Sequence, residues 1–359
     1  MICPDINDLP KPPEGKTGWP WTERSGILKK NADGKNLATI SIITPSYNQG
    51  QYIEETIRSV LLQSYPSIEL IVIDGGSSDE TVTVIEKYSK WIKFWVSEKD
   101  EGQSSAINKG LQHVTGDIVN WVNSDDVVDK DAFWHLDESF DKKFSFYTGS
   151  FKKYCNGVVT ETSRLPKYSS IEELLVSPSM AQPSLYYKTE VFKSLNGVNK
   201  NFHYCMDLEL FKKAVLKEGL QSICYLNSNL SLFRIHGDSK THKFQIQFAK
   251  ERYTILYNLL AQIDSSPKRV KAIFDRFRHL LIDNEKWELV TVNQKHLLSL
   301  VIDSFLNEYH NSLNWSDIGY LYGFSAKNYP FKRLETYLLP AKMIYRRYRY
   351  GQHSHKLVL

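Results

Sequence analysis

Between Thr39 and Asp126 the chain alternates short β-branched runs with amphipathic segments. Each run stops at a cluster of acids, amides or glycines. Thr39-Ile40-Ser41-Ile42-Ile43-Thr44 reads as a buried strand closed by Pro45. Residues 51–64 place Ile53, Ile57, Val60 and Leu61 on one helical face, and Pro66 breaks the chain after them. Ile68–Ile73 reads as a second strand ending at Asp74-Gly75-Gly76, followed by a polar helix over 79–90. Phe94-Trp95-Val96 gives a third strand. Residues 102–114 give a helix with Ala106, Ile107 and Leu111 inward. Asp117–Val122 gives a fourth strand, running into Asn123-Ser124-Asp125-Asp126. Strands joined by helices through short connections dictate a mostly parallel sheet with helices on both faces. Ligands of such sheets sit at the carboxyl ends of the strands. The stretches to inspect are therefore Pro45–Gln49, Asp74–Asp79, Glu98–Gln103 and Asn123–Asp126.

The flanks are less regular. The first 36 residues are rich in Pro, Gly and Lys around Trp19-Pro20-Trp21, and read as an irregular extension with an aromatic anchor. From 145 to 240 the pattern is mixed. Short strands are expected at 146–150, 183–187, 221–226 and 230–235, and a helix at 207–218. Residues 243–325 read as helical, with aliphatic positions at helical spacing. The expected organisation is an extension (1–36), an α/β domain (37–240) and a helical C-terminal region (241–359).

Composition removes several classes. With 359 residues, 42% hydrophobic and 24% charged, the chain is neither disordered nor collagen-like. A net charge of +4 is too weak to argue for nucleic acid. No run reaches the length of a membrane-spanning helix, and the N-terminus has no basic and apolar signal regions. Cys3, Cys155, Cys205 and Cys224 form no CxxC pair or zinc spacing, which fits free thiols in a reducing cytosol.

Five features invite chemistry. Asp74, Asp79, Asp100, Asp125 and Asp126 all fall at strand ends on one rim. One such acid is an ordinary turn or cap residue. Several together repel unless a cation or hydrogen-bond donors neutralise them, and a hard divalent ion shared with a diphosphate does so. Asp74–Asp79 is Gly-rich but is neither GxGxxG nor GxxxxGK[ST], so a nucleotide here would use another motif. Asp207 opens a helix, where it is either a cap or a general base. Arg234 and His236 alternate onto one face of a strand. The tail from Lys327 to Lys356 carries eight Lys/Arg and one acid, Glu335, among Leu and Tyr residues. It is either a solvated face or a segment for an anionic membrane surface.

Five motifs in order carry a resemblance. They are Thr44–Gln49 with Gln63-Ser64-Tyr65-Pro66, then Glu69–Thr81, Ser97–Gln103 with Ala106–Gly110, Gly116-Asp117, and Asn123–Asp126. Across residues 40–240 their order and spacing resemble glycosyltransferase family 2. The opening Pro12–Trp21 also looks like a leader seen in a bacterial subset of such enzymes. The resemblance implies a GT-A fold, with a Rossmann-like nucleotide-binding half and an acceptor half. It also implies inverting transfer from a nucleotide-sugar, UDP-linked by family habit, to a glycan or lipid-linked acceptor, in surface polysaccharide or glycoconjugate synthesis. Under it, Pro45, Tyr47 and Asp79 line the base and ribose pocket. Asp100 contacts the donor, with Asp74, Gln103, Asn108 and Lys109 as further donor-side residues. Asp125 meets the ribose or sugar, and Asp126 holds Mg²⁺ or Mn²⁺. Asp207 is the base, Arg234 closes over the diphosphate, and His236 joins it there or at the metal. The chain lacks the Gln-x-x-Arg-Trp motif of processive members, which favours single addition. A sugar nucleotidyltransferase and a non-catalytic nucleotide-sugar-binding relic are the alternatives. The expected location is the cytoplasm, with the 327–356 tail as a peripheral contact on the inner membrane face.

Overall fold

A computed structural model describes residues 3–26, 37–155, 158–237, 240–283, 287, 289 and 292–328. Apart from Lys327 and Asn328, the basic tail lies outside the described residues. The chain divides into two compact units. One comprises residues 1–166, 179–214 and 221–239, and the other comprises 167–178, 215–220 and 240–359.

Among the described residues the first unit is built on a nine-stranded sheet. Its elements begin β1 (Ile40–Ser46), α1 (Gly50–Leu61), β2 (Ile68–Asp74), α2 (Thr81–Tyr88), β3 (Phe94–Ser97), α3 (Gln103–Leu111) and β4 (Ile118–Trp121). β5 (Val127–Val128), α4 (Ala132–Ser139), β6 (Phe146–Cys155) and β7 (Val158–Arg164) follow. α5 (Ile171–Val176) belongs to the second unit. β8 (Leu185–Lys188), α6 (Thr189–Ser194), α7 (Met206–Glu218) and β9 (Ile223–Arg234) complete the series. The strand order is β3-β2-β1-β4-β8-β6-β9-β5, with β7 paired to β6. β3, β2, β1 and β4 run parallel, as the alternation requires. Beyond β4 the sheet is mixed: β8 is antiparallel to β4 and β6, and β9 is parallel to β6. The core is aliphatic where the pattern placed it, with Ile42, Ile57, Leu70, Val72 and Ile85 fully buried. Their removal from water is the main force holding α1 and α2 to the sheet.

Pro45 does not end β1 as expected. It stands opposite Ile73, and the strand continues to Ser46. Ser46 accepts from Gly75 N on the β2 side, so Pro45 faces the β4 side, where pairing has already stopped at Ile43. A missing N–H is harmless there. The strands expected at 221–226 and 230–235 are one strand, β9, whose register with β6 shifts around Ser150. A bulge absorbs the polar Asn227–Asn229 stretch that reads as a break.

In the second unit α8 (Lys240–Lys243), α9 (Gln245–Ala261), α10 (Lys268–Asp275), α11 (Gln294–Tyr309) and α12 (Trp315–Asn328) join α5. Its core is aromatic. Phe274 stacks on Phe305 at 4.0 Å, and the buried Tyr253 hydroxyl donates to Phe274 O at 2.6 Å. Buried Glu172 of α5 accepts from Asn293 N at 2.6 Å, which ties the start of α11. No helix of the described residues is long and apolar enough to cross a membrane.

Candidate active site

The carboxyl ends of β1 to β4 carry loops that bind one another before they bind anything else. Asn48 has φ 51°, a conformation Asn tolerates. Its N–H donates to Ser77 Oγ at 2.7 Å, and its Oδ1 accepts from Ser78 N at 2.9 Å. Asp79 Oδ2 accepts from Gly50 N at 2.9 Å, so it caps α1 from the neighbouring loop. Burial would raise its pKa, but the Thr81 hydroxyl and the Gly50 and Thr81 amides outweigh that and lower it. Asp74 is fully buried. Its oxygens accept from Gly76 N, Ser77 N, Ser77 Oγ and Ser97 Oγ. That shapes the turn in which Gly76 has φ +81°. A Cβ on Gly75 would stand 3.2 Å from both Asp100 carboxylate oxygens, so the bare glycine lets Asp100 lie over the turn. Tyr47 is 62% exposed at this rim.

Asp126 is the centre of a second network. It is 1% exposed. Its Oδ1 accepts from Arg234 N at 3.1 Å, and its Oδ2 from Asn123 Nδ2 at 3.1 Å. Asn123 Oδ1 in turn accepts from Gln103 Nε2 at 2.7 Å, which links α3 to the acidic loop. Burial, and then the charge of Asp125, push the Asp126 pKa well above the ordinary carboxylate range.

The end of β9 and the residues just after it deliver Arg234 and His236. Arg234 Nε donates to Asp125 O at 2.8 Å, and its Nη2 pairs with Glu55 at 2.8 Å. Its guanidinium lies 4.8 Å from the Tyr52 ring centroid and 4.6 Å from that of Tyr154. Arg suits such a slot because a planar cation both stacks and forks. His236 Nε2 is 2.9 Å from Asp125 Oδ2, and its ring packs on Tyr52 at 4.9 Å. Burial and the Glu55 charge push the Tyr154 phenol pKa up, and its buried hydroxyl, like that of Ser46, has no partner among the described residues.

The structure thus gathers Gln103, Asp125, Asp126, Arg234 and His236. Two further expected donor residues make other contacts. Asn108 Nδ2 donates to Val198 O at 2.8 Å and its Oδ1 accepts from Val198 N at 2.9 Å, so both polar atoms hold the 197–198 turn. Lys109 pairs with Glu98. Both lie more than a turn along α3 from Gln103. Asp207 stands in the first turn of α7, with Oδ1 accepting from Leu208 N at 2.8 Å. Tyr52, Glu55 and Tyr154 were not singled out from the sequence. The available signal was a polar stripe at 52, 55/56 and 59 on α1, continued by 63 just past its end, beside the apolar one.

The donor set suits a hard divalent cation. Each Asp126 oxygen has one neutral donor and a lone pair to spare, and Mg²⁺ commonly takes one or two carboxylates plus substrate phosphates. No group of three or more His, Cys, Asp or Glu is arranged for a metal among the described residues. A bound ion would therefore draw its other ligands from a diphosphate and water.

The family model "Glycosyl transferase family 2" matches residues 41–219, about half of the chain, and spans every one of these loops except β9. The chain belongs to glycosyltransferase family 2. Among relatives of this family 2 chain, a poly-beta-1,6-N-acetyl-D-glucosamine synthase of Staphylococcus epidermidis is 23% identical over 281 residues, covering 77% of this chain and 63% of the relative. The chain thus spans less than two thirds of that relative's length. The putative teichuronic acid biosynthesis glycosyltransferase TuaG of Bacillus subtilis is 41% identical over 95 residues, 26% of this chain and 38% of the relative. Among solved structures, S. aureus TarS 1–349 in complex with UDP aligns with a TM-score of 0.50 at 19% identity, covering 88% of this chain and 93% of that one. The fold is GT-A, with a helical C-terminal part.

Proposed function

We propose that this family 2 chain transfers a single sugar, with inversion, from a nucleoside-diphosphate donor to a hydroxyl of a glycan or lipid-linked acceptor in surface polysaccharide or glycoconjugate synthesis. The observation that carries the proposal is the Asp126 network: a carboxylate kept out of water beside a second one, at the carboxyl end of a parallel sheet, under an arginine and a histidine. Such a charge arrangement is stable when an anion and a cation complete it. UDP is the leading nucleotide, supported by the TarS 1–349 structures containing UDP and UDP-GlcNAc.

Each residue then has a task. Tyr47 offers an exposed ring for the base, and Asp79 and Asn48 hold the loop behind it. Asp100 and Gln103 face the donor. Asp126, with Asp125 beside it, would hold Mg²⁺ or Mn²⁺, which supplies charge neutralisation on the leaving diphosphate. Arg234 brings positive charge, and His236 an imidazole, to the same oxygens. Asp207 removes the proton of the acceptor hydroxyl as its oxygen attacks the anomeric carbon. The bond from that carbon to the diphosphate oxygen breaks, and the electron pair leaves with the nucleotide. One base suffices because no protein nucleophile is needed in an inverting displacement.

The test is a thermal-shift panel of UDP, TDP, GDP and CMP, each with Mn²⁺ and with EDTA, alongside an Asp207→Asn variant. One nucleotide at a hundred times its dissociation constant should stabilise the protein by about 2.7 kcal/mol, with metal only. Asp207→Asn should keep that response and lose turnover by orders of magnitude. Stabilisation that is indifferent to metal, or pyrophosphate release from a sugar phosphate and a nucleoside triphosphate, overturns the reading.

A further inference from the structure

The acidic loop is held from behind by side chains. Residues 124–129 run from the Asp125-Asp126 pair into the two-residue strand β5. On one side β5 pairs with β9, through Val127 with Leu232 and Val128 with Ser231. On the other side no strand lies alongside among the described residues. The backbone groups there are satisfied one after another by polar side chains of α1, by Gln63 just past its end, and by Trp19. The fully buried Thr56 hydroxyl lies 3.0 Å from Ser124 O and 2.7 Å from Asp126 O, and donates to this carbonyl pair. Ser59 Oγ accepts from Val128 N at 3.0 Å. Gln63 Nε2 donates to Asp129 O at 2.9 Å. From the leader, Trp19 Nε1 donates to Val128 O at 3.0 Å. These side chains occupy the place of a neighbouring strand and copy its alternation of donors and acceptors.

We propose that Thr56, Ser59, Gln63 and Trp19 are positioning residues that fix the register of the 124–129 backbone, and through it the affinity of the acidic loop for a metal–diphosphate pair. The proposal rests on the donor-site reading above. The argument is geometric. Asp125 and Asp126 are adjacent in a turn before β5, where no helix or strand geometry fixes their side chains, so their joint orientation depends on the peptide groups around them. Thr56 bonds the carbonyls on both sides of Asp125. A metal site tolerates small errors of ligand placement poorly, so a backbone that shifts by a fraction of an ångström loses affinity before it loses the fold. The leader is then part of the donor site's support, because its Trp19 indole closes the same row.

Thr56→Val keeps shape and removes the hydroxyl, leaving two buried carbonyls without their donor. Thr56→Ser keeps the hydroxyl and serves as the rescue. Trp19→Phe removes one N–H at a half-buried position, and tests the row even if Thr56→Val folds poorly. The measurements are amide hydrogen exchange over 124–129 in the full chain without ligand, and UDP affinity with Mn²⁺ and with EDTA. The expected result is exchange about tenfold faster in Thr56→Val and in Trp19→Phe, with Mn²⁺-dependent UDP affinity about tenfold weaker. Binding in EDTA should be unchanged, and Thr56→Ser should be close to wild type. Wild-type exchange in Thr56→Val, or Thr56→Ser impaired as badly, overturns the proposal. A wild-type chain that binds no nucleoside diphosphate with Mn²⁺ overturns the donor reading on which it rests, and the exchange comparison tells that failure apart from failure of the clamp.

Discussion

Asp126 has two neutral hydrogen-bond donors and a like-charged neighbour, and is only 1% exposed. Its cost to the ligand-free fold is therefore real, and its return comes only with a ligand. Asp126→Asn should leave the stability of the ligand-free protein within about 1 kcal/mol of wild type, because removing a desolvated charge offsets the poorer fit of an amide. The same variant should lose the metal-dependent stabilisation by nucleotide altogether. Calorimetric melting with and without UDP and Mn²⁺ reads both effects, and a large loss of ligand-free stability would make Asp126 a structural residue instead. The sequence made Asp125, Asp126, Arg234 and His236 visible because acids at strand ends and alternation on one strand are local patterns. Glu55 was not visible, since its partner Arg234 is 179 residues away and a single acid on an amphipathic helix reads as solvated. Asn108 and Lys109 illustrate the converse. The motif that contains them is local, but what their side chains bind, Val198 and Glu98, is set by the folded neighbourhood.

At the scale of elements, α1 does more than its apolar stripe announces. It packs on the sheet through Ile53, Ile57 and Val60, braces the acidic loop through Thr56, and holds the leader through Arg58. Arg58 is fully buried. It donates to Pro20 O at 3.1 Å, Pro10 O at 2.9 Å, Trp21 O at 2.8 Å and Tyr88 Oη at 3.1 Å. Among its described residues the N-terminal extension has no regular structure beyond one 3₁₀ turn, so its carbonyls need these donors. Arg58→Met fills similar volume but leaves three backbone carbonyls unpaired. The expected loss is about 3 kcal/mol or more in urea denaturation, with residues 3–26 becoming protease-sensitive first. A loss under about 1 kcal/mol would mean that water replaces the guanidinium at no penalty. The aromatic anchor in the leader was legible in Trp19-Pro20-Trp21, whereas the guanidinium that receives it was not. β7 was missed because almost every residue of Val158–Arg164 is exposed, which leaves no alternation of polarity to read. β5 was missed because two residues carry no period at all.

On the scale of the whole molecule, the parallel half of the sheet followed from the alternation of elements, while the order of β8, β6 and β9 did not. Antiparallel and parallel additions to a sheet edge are decided by long-range packing, which a single sequence pattern does not encode. The two ends of the parallel half have different tasks. The carboxyl end carries the acidic loops, and the amino end is tied together by Glu69. Its carboxylate accepts from Ser41 Oγ at 2.6 Å on β1, Lys93 Nζ at 2.5 Å before β3, and Thr115 N at 3.0 Å before β4. Burial alone would raise the Glu69 pKa, but the bonds from Lys93, Ser41 and Thr115 outweigh it and hold it at about 2, below its ordinary 4.5. A carboxyl with a folded-state pKa below its unfolded one contributes stability above the unfolded value, and loses it as pH falls through the folded one. Glu69→Gln should therefore lower stability by about 2 kcal/mol at pH 7, with the Lys93 pair's partial exposure keeping the effect below the full shift. The gap to wild type should narrow from about pH 4.5 downward, be mostly lost by about pH 2, where the wild-type carboxyl is half protonated, and vanish only below that. Urea midpoints taken at constant ionic strength across that range measure it. A gap that stays constant down to pH 2 would show that the ionised carboxylate is not what binds the three strands at their amino ends.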